Sequence, residues 1–168
     1  MRLWRELHPP LLRYLTVRGD EAPEDIASET WMDVVRGLSR FSGGLPEFRA
    51  WLFTIARHRA IDAGRARARR PVVPVADVVS REVSPSAEDQ VAAAADTSRA
   101  LALVATLPAA QAEMVMLRVV AGLEVADVAK LVDKKPGAVR VAVHRALQTL
   151  AQRPEASRMN DPANREVV

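Results

Sequence analysis

Arginine is the residue type in this chain whose number and spacing could do chemistry. Positions 49 to 70 hold seven arginines, at 49, 57, 59, 65, 67, 69 and 70, against one acid, Asp62. A permanently charged guanidinium with a planar fork of donors suits phosphate, so a run of them suits nucleic acid. The opposite charge lies just upstream: residues 19–33 hold six acids and no basic residue. The net charge of +3 hides this split. Two clusters of opposite sign suggest two partners, one polyanionic and one a basic protein surface. A third cluster, Lys134, Lys135, Arg140, His144 and Arg145, lies near the end of the chain. The arginine run alone reads equally well as a solvated helix face, and for the acids that is the commoner reading.

Other chemistries are poorly supplied. There is no cysteine, so disulfides, thiolate metal sites and a cysteine nucleophile are excluded. The three histidines, at 8, 58 and 144, have no metal-ligand spacing. No catalytic triad, phosphate loop or metal cluster is legible, so neither a cofactor nor catalysis is expected. No apolar run approaches the roughly 18 residues of a membrane span, and the N-terminus lacks a signal-peptide core. A cytoplasmic protein without membrane insertion is expected.

The elements that must carry these clusters read as helices. Leu3, Trp4, Leu7, Leu11, Leu12 and Leu15 have mostly helical spacing, interrupted at His8-Pro9-Pro10. This predicts a short helix, a break, and a second helix from Pro10. A turn at 19–23 leads into a helix over 23–38. Pro23, Glu24 and Asp25 suit its start, and Ile26, Ala27, Thr30, Val34 and Leu38 supply an inward face. Glu24, Asp25, Glu29 and Asp33 are left outside, with Trp31 and Met32 among them. A solvated face is the commoner reading of such acids, and the large apolar residues among them shift weight toward a protein-contact face.

A glycine-proline break at 41–46 precedes the arginine-bearing stretch at 47–70. At about 100° per residue, Phe48, Trp51, Leu52, Ile55, Ala56 and Ala63 share one sector while Arg57, His58 and Arg65 point elsewhere. Residues 71–97, interrupted by Pro71, Pro74 and Pro85, read as an extended linker. A short edge strand at 72–79 is an alternative within it, and a helix is expected to begin near Ser86.

The second half reads as helices over 98–107 (Leu101, Val104, Leu107), 109–120 (Met114, Val115, Leu117, Val119) and 124–132 (Val125, Val128, Ala129, Val132). Gly122 stops the second of these. A turn at 133–137 leads into a final helix through about 152, with Val139, Val143, Leu147 and Leu150 as its buried stripe. Two short helices around a tight turn form either a helix-turn-helix or a helical hairpin with no role on DNA. Residues 153–168 are expected to be disordered.

Two motifs in this order carry a family resemblance. APEDIASETWMDVVRGLSRF followed by FRAWLFTIARHRAIDAGRARARR resembles region 2 of bacterial sigma-70 family RNA polymerase sigma factors of the extracytoplasmic-function group. LPAAQAEMVMLRVVAGLEVADVAKLVDKKPGAVRVAVHRALQTLA resembles their region 4. The resemblance covers roughly residues 3–152. It implies an all-α fold of two small helical domains, a region 2 bundle over 1–70 and a region 4 helix-turn-helix over 98–152, joined by the linker. It also implies a factor that binds core RNA polymerase, confers promoter specificity and nucleates melting.

By resemblance, the 23–38 helix docks on the clamp helices of the largest polymerase subunit, with Asp25, Glu29, Trp31, Met32 and Asp33 as contacts. The 41–47 loop and the helix after it would hold the −10 element through Ser42, Gly43, Gly44, Arg57, His58, Asp62 and Arg65. Trp51 could stack on a base, but its sector favours the core. The final helix would enter the major groove at the −35 element, with Lys134, Lys135, Arg140, Val141, His144 and Arg145 as contacts. Residues 109–120 would support it and help contact the flap of the second-largest subunit. Control by a separate anti-sigma factor is compatible with this chain, although no residue argues for it.

The chain departs from the pattern at Ser28, where glutamine is usual, and at Asp133, where glycine is usual. It departs again at Val141 and Ala142, where relatives commonly carry polar or basic residues. An apolar recognition face offers contacts to thymine methyl groups but fewer hydrogen bonds. The −10 element is therefore expected to carry more of the specificity than the −35 element. Two other readings compete: a sigma-like mimic that sequesters an anti-sigma factor, and a helix-turn-helix regulator acting through 98–152 alone. The basic run argues against the first. The acidic helix and the first domain argue against the second.

Overall fold

The computed structural model describes residues 2–69 and 88–153, and every regular element among them is helical. No helix among the described residues is long and apolar enough to cross a membrane.

Helix α1 (Arg2–Arg18) runs without a break through Pro9 and Pro10, contrary to the expected interruption. A proline inside a helix removes one donor and crowds the carbonyl four residues back, at a cost of ~3 kcal/mol. The carbonyls affected belong to Arg5 and Glu6, which are exposed and open to water. Leu7, Leu11, Tyr14 and Leu15 meanwhile bury one stripe on both sides of the prolines. Packing outweighs the local penalty. Leu3 and Trp4, expected in that core, are exposed.

Helix α2 (Pro23–Gly37) starts as expected, with proline at its first position and Glu24 and Asp25 in its first turn. Ile26, Ala27, Thr30 and Val34 are buried. The Thr30 hydroxyl is satisfied by donating to the Ile26 carbonyl at 2.7 Å. Leu38 is half exposed rather than buried, because the α-helix ends at Gly37 and a 3₁₀ turn, Leu38–Arg40, shifts the phase.

Helix α3 (Leu45–Ala68) begins where the Gly44 N–H donates to Glu47 Oε2 at 2.9 Å. It buries Phe48, Leu52 and Ala56 as expected, and also Phe53 and Ala60. Phe53 lies about 140° around the helix from Phe48, so α3 is covered on two sides. Trp51 is half-buried, stacked on Phe41 with centroids 5.0 Å apart and packed against Gly37.

The second group comprises α4 (Glu88–Ala105), α5 (Ala109–Val115), α6 (Val125–Leu131) and α7 (Pro136–Ala151). Helix α4 begins within the span read as linker; the edge strand weighed at 72–79 and the tail 154–168 lie outside the described residues. Helix α5 continues as a π-helical turn, Met116–Val120, marked by the Ala121 N–H bonding to the Met116 carbonyl five residues back at 2.8 Å. That wider turn rotates Val119 out to 55% exposure while Met116 and Leu117 stay buried. Gly122, with φ +69°, ends it.

Between α6 and α7 the chain reverses through Asp133 at φ +51°, and the Lys134 N–H bonds to the Ala129 carbonyl at 2.9 Å. This is the left-handed position that favours glycine, and aspartate is among the few other residues that adopt it readily. The buried stripe of α7 is Val139, Val143 and Ala146, with Leu150 partly buried. Leu147, expected in that stripe, is exposed.

The two groups touch. Helix α1 packs on α2 and α3 and also on α4, α5 and the π-helical turn. The buried residues of both groups form one continuous hydrophobic cluster.

Candidate nucleic-acid interface

Helix α7 carries the simplest of the charged surfaces. Lys134, Lys135, Arg140, Val141, His144 and Arg145 are all exposed. Val139, Val143 and Ala146 anchor the opposite side of the helix and turn these residues outward. Pro136 starts the helix immediately after Lys135, so the two lysines flank its N-terminus. Among the described residues, no carboxylate pairs with Lys134, Lys135, Arg140 or Arg145. The surface is an unneutralised cationic ridge with an apolar residue, Val141, in its midst.

The arginines of α3 are differently placed. Arg57 Nε donates to Glu113 Oε1 of α5 at 3.0 Å, and its side chain is only 23% exposed. Arg59 reaches back to α2, donating through Nε to Asp33 Oδ2 at 2.7 Å and through Nη1 to Glu29 Oε2 at 3.1 Å. Hydrogen bonding to Asp33 is the largest influence holding the Arg59 guanidinium in its charged form. Arg65 pairs loosely with Asp62 at 3.5 Å, and Arg67 pairs with Glu21 at 2.8 Å. Each of these four arginines already faces a carboxylate of the same chain.

Ser42, Gly43 and Gly44 are exposed ahead of α3, as are His58, Asp62 and Arg65 along it. Gly43 has φ +147°, and a β-carbon there would lie 2.9 Å from Glu47 Cβ, so only glycine fits. His58 and Asp62 line a shallow cleft of about 260 Å³ with Asp33, Ile55 and Arg59. Small-molecule sites are usually enclosed and span roughly 300–1,000 Å³, so this open cleft suits a surface contact better. The expected −10 set is thus split. The loop, His58, Asp62 and Arg65 face solvent, while Arg57 faces the second helical group.

The acidic helix also differs from expectation in one residue. Asp25, Glu29 and Met32 are exposed and lie within about 60° of one another around α2. Asp33 borders them but is held by Arg59 and by Arg36 at 3.3 Å. Trp31 points another way. It is half-buried, and its indole N–H donates to His8 Nδ1 at 3.2 Å. Val35, which the periodicity does not single out, and Leu38, which it assigns to the inward face, join Met32 as an exposed apolar strip. A change of phase at the 3₁₀ turn, which no residue pattern announces, brings Leu38 to the surface.

Glu113 likewise escapes sequence reasoning. Its Oε1 accepts from the Tyr14 hydroxyl at 3.0 Å, Arg18 Nη1 at 2.7 Å and Arg57 Nε at 3.0 Å. Tyr14 is fully buried, and burial followed by the Glu113 charge raises its pKa, so the phenol remains a donor. No spacing in the sequence joins residues so far apart. The one available signal is that Arg57 lies four residues after Phe53 and so shares its covered face.

Comparison with known proteins matches both halves. Residues 3–70 match Sigma-70 region 2, and residues 98–150 match Sigma-70 region 4. The chain is similar to the extracytoplasmic-function (ECF) RNA polymerase sigma factor ShbA of Streptomyces griseus, at 35% identity over 88% of this chain and 83% of that one. It is also similar to SigD of Mycobacterium bovis, another ECF RNA polymerase sigma factor, at 35% identity over 86% and 71% of the two chains. Among solved structures it resembles the sigma factor RpoE of Bartonella quintana, crystallised with the anti-sigma factor NepR. The TM-score is 0.57 with 23% identity, over 88% of this chain and 93% of that one, a likeness of fold alone.

Proposed function

The chain belongs to the ECF group of RNA polymerase sigma factors, and from that premise we propose how its surfaces divide the work of initiation. Helix α2 docks on core polymerase through Asp25, Glu29 and Met32, with Val35 and Leu38 extending the contact. The loop at 42–44 and the outer side of α3 receive the −10 element. Helix α7 enters the major groove at the −35 element. Residues 2–69 serve the first two tasks and the helices after Glu88 the third.

The observation that carries this reading is the unneutralised ridge of α7. Four cations with no carboxylate partner among the described residues lie on and just before a helix whose other side is packed. Bringing them onto phosphate releases counterions without first breaking an ion pair to those residues. A mimic that only captured an anti-sigma factor would have no use for such a surface. The exposed −10 candidates add a second kind of contact, because glycine backbone at 43–44 lets an unpaired base approach closely. No residue performs catalysis in this scheme; the polymerase supplies the chemistry. An anti-sigma factor remains a candidate regulator, by analogy with the RpoE–NepR complex.

Co-migration with core polymerase followed by promoter-opening footprints tests the scheme. Asp25→Lys with Glu29→Lys is expected to weaken core binding at least about tenfold, the effect of ~1.4 kcal/mol. Opening on the double variant should recover at high protein concentration. Undiminished core binding would remove α2 from the interface.

A further inference from the structure

We propose that Glu113 is a latch that holds the two DNA-contacting groups together in the free chain and must release for them to occupy a promoter. This rests on the assignment of the two groups to the −10 and −35 elements.

Glu113 sits on α5 in the segment matching region 4, with only 13% of its side chain exposed. Its three donors, Tyr14, Arg18 and Arg57, all belong to the segment matching region 2. One carboxylate oxygen therefore ties α5 to both α1 and α3. Arg18 is oriented for the task, since its Nε also bonds Asp20 Oδ2 at 3.2 Å. Beside the latch the groups meet closely again. A β-carbon on Gly122 would lie 2.7 Å from Arg49 Nη1, and Arg49 in turn pairs with Glu6 at 3.2 Å.

Promoter geometry does not permit this closeness. Elements named for positions −10 and −35 lie some 25 base pairs apart, roughly 85 Å at ~3.4 Å per pair. Packed as one compact body, the described residues, 2–69 and 88–153, have a radius of gyration of only about 14 Å. The closed arrangement cannot reach both elements, and it also occupies Arg57, one of the residues assigned to −10 DNA. Opening separates the ridge of α7 from α3 and frees Arg57 in the same event. Glu113 has no other task in the scheme.

The absence of cysteine makes the test direct. Ser39→Cys and Gln148→Cys, both at exposed positions, accept a donor and an acceptor dye on the full chain. Energy transfer should be high in the free protein and fall when core polymerase and promoter are added. Glu113→Gln should lower transfer in the free chain toward the promoter-bound value, and Glu113→Asp should retain most of it. The affinity of free Glu113→Gln for a single-stranded −10 oligonucleotide should rise by up to about tenfold, as when a competent fraction grows from about a tenth to near one. Its affinity for a −35 duplex should stay unchanged, because the α7 ridge is already exposed.

Unchanged transfer in a well-folded Glu113→Gln overturns the latch. Should that variant lose its helical signal, the unmodified labelled chain decides: equal transfer free and on the promoter overturns closure, and a fall on the promoter supports it. Run-off transcription by the same labelled chain separates the two ideas. Transcript without a change in transfer sinks the latch alone; no transcript sinks the promoter assignment on which it rests.

Discussion

The two basic surfaces of this chain carry the same kind of charge and make it available differently. On α7 and the turn before it, Lys134, Lys135, Arg140 and Arg145 have no carboxylate against them among the described residues. On α3, Arg57, Arg59, Arg65 and Arg67 are each answered by Glu113, by Glu29 and Asp33, by Asp62 and by Glu21. The first surface is ready for phosphate. The second must exchange internal partners for external ones. These exchanges are unequal in cost. Arg65 and Asp62 are 70% and 72% exposed and 3.5 Å apart, and such surface pairs contribute only about 0–1 kcal/mol. Arg57 is held in a half-buried junction with two further donors on the same carboxylate. Counting arginines in a sequence therefore says little about how many can grip DNA in a given conformation.

The largest way to break this contrast is through the packing beneath it. Phe53 is fully buried and meets Tyr14 edge-on, with centroids 5.5 Å apart. It supports the face from which Arg57 reaches Glu113. Phe53→Ala should cost about 3–5 kcal/mol in denaturant unfolding. A loss under about 1 kcal/mol would mean that this side of α3 does not carry the junction.

A second test removes charge from the open surface. Arg140→Ala with Arg145→Ala should weaken binding to a −35 duplex by ~1–3 kcal/mol for each of the two arginines that reads a base. Where an arginine instead touches phosphate, the salt slope should fall by about one per residue. The same change at Arg65 should do less to that duplex, because Arg65 lies in the other group. Equal losses from both groups would erase the distinction between the surfaces.

Tyr14→Phe is subtler. It removes one donor from Glu113 while the aromatic packing remains, and should cost about 1 kcal/mol of stability. Thermal unfolding at neutral pH measures it, and a stabilised variant would show that the hydroxyl is not needed at the junction.

The smallest effect lies away from both basic surfaces. His8 stacks on Trp4 and accepts from the Trp31 indole, and burial lowers its pKa below the ordinary 6.5 although Glu24 opposes the shift. The unfolded chain then binds more protons than the folded one between the lowered value and 6.5. The contribution of His8 should be fully present above about pH 6.5, decline as pH falls, and level off below the folded pKa. Comparing unfolding of the wild type and His8→Gln at pH 7.5 and 5.5 would reveal it. Parallel pH dependence in the two would place the titration elsewhere.

Local chemistry makes much of this legible in the sequence. Proline and acids at the start of α2, Gly122 after the π-helical turn, and the turn between α6 and α7 each act within a few residues. The solvent-facing side of α7 is legible too, since polar and apolar positions alternate clearly along it. Long-range decisions are not. The continuity of α1 through two prolines depends on a stripe buried by other helices. Phe53 is buried because α3 is covered on a second side that its periodicity does not announce. In short helices, one residue of phase moves a side chain by about 100°. That is why Ala146 takes the place expected for Leu147 and why Val119 emerges at the surface. Glu113 is the extreme case, because its role exists only once three helices converge.

Run-off transcription with purified core polymerase tests the central claim most directly. Templates would carry an intact promoter, one with a scrambled −10 element and one with a scrambled −35 element. The expected result is transcript from the intact template only when this chain is present, with the −10 scramble more damaging than the −35 scramble. Equal loss from both scrambles would contradict the weaker role given to the apolar face of α7. No chain-dependent transcript from the intact template would contradict promoter direction itself.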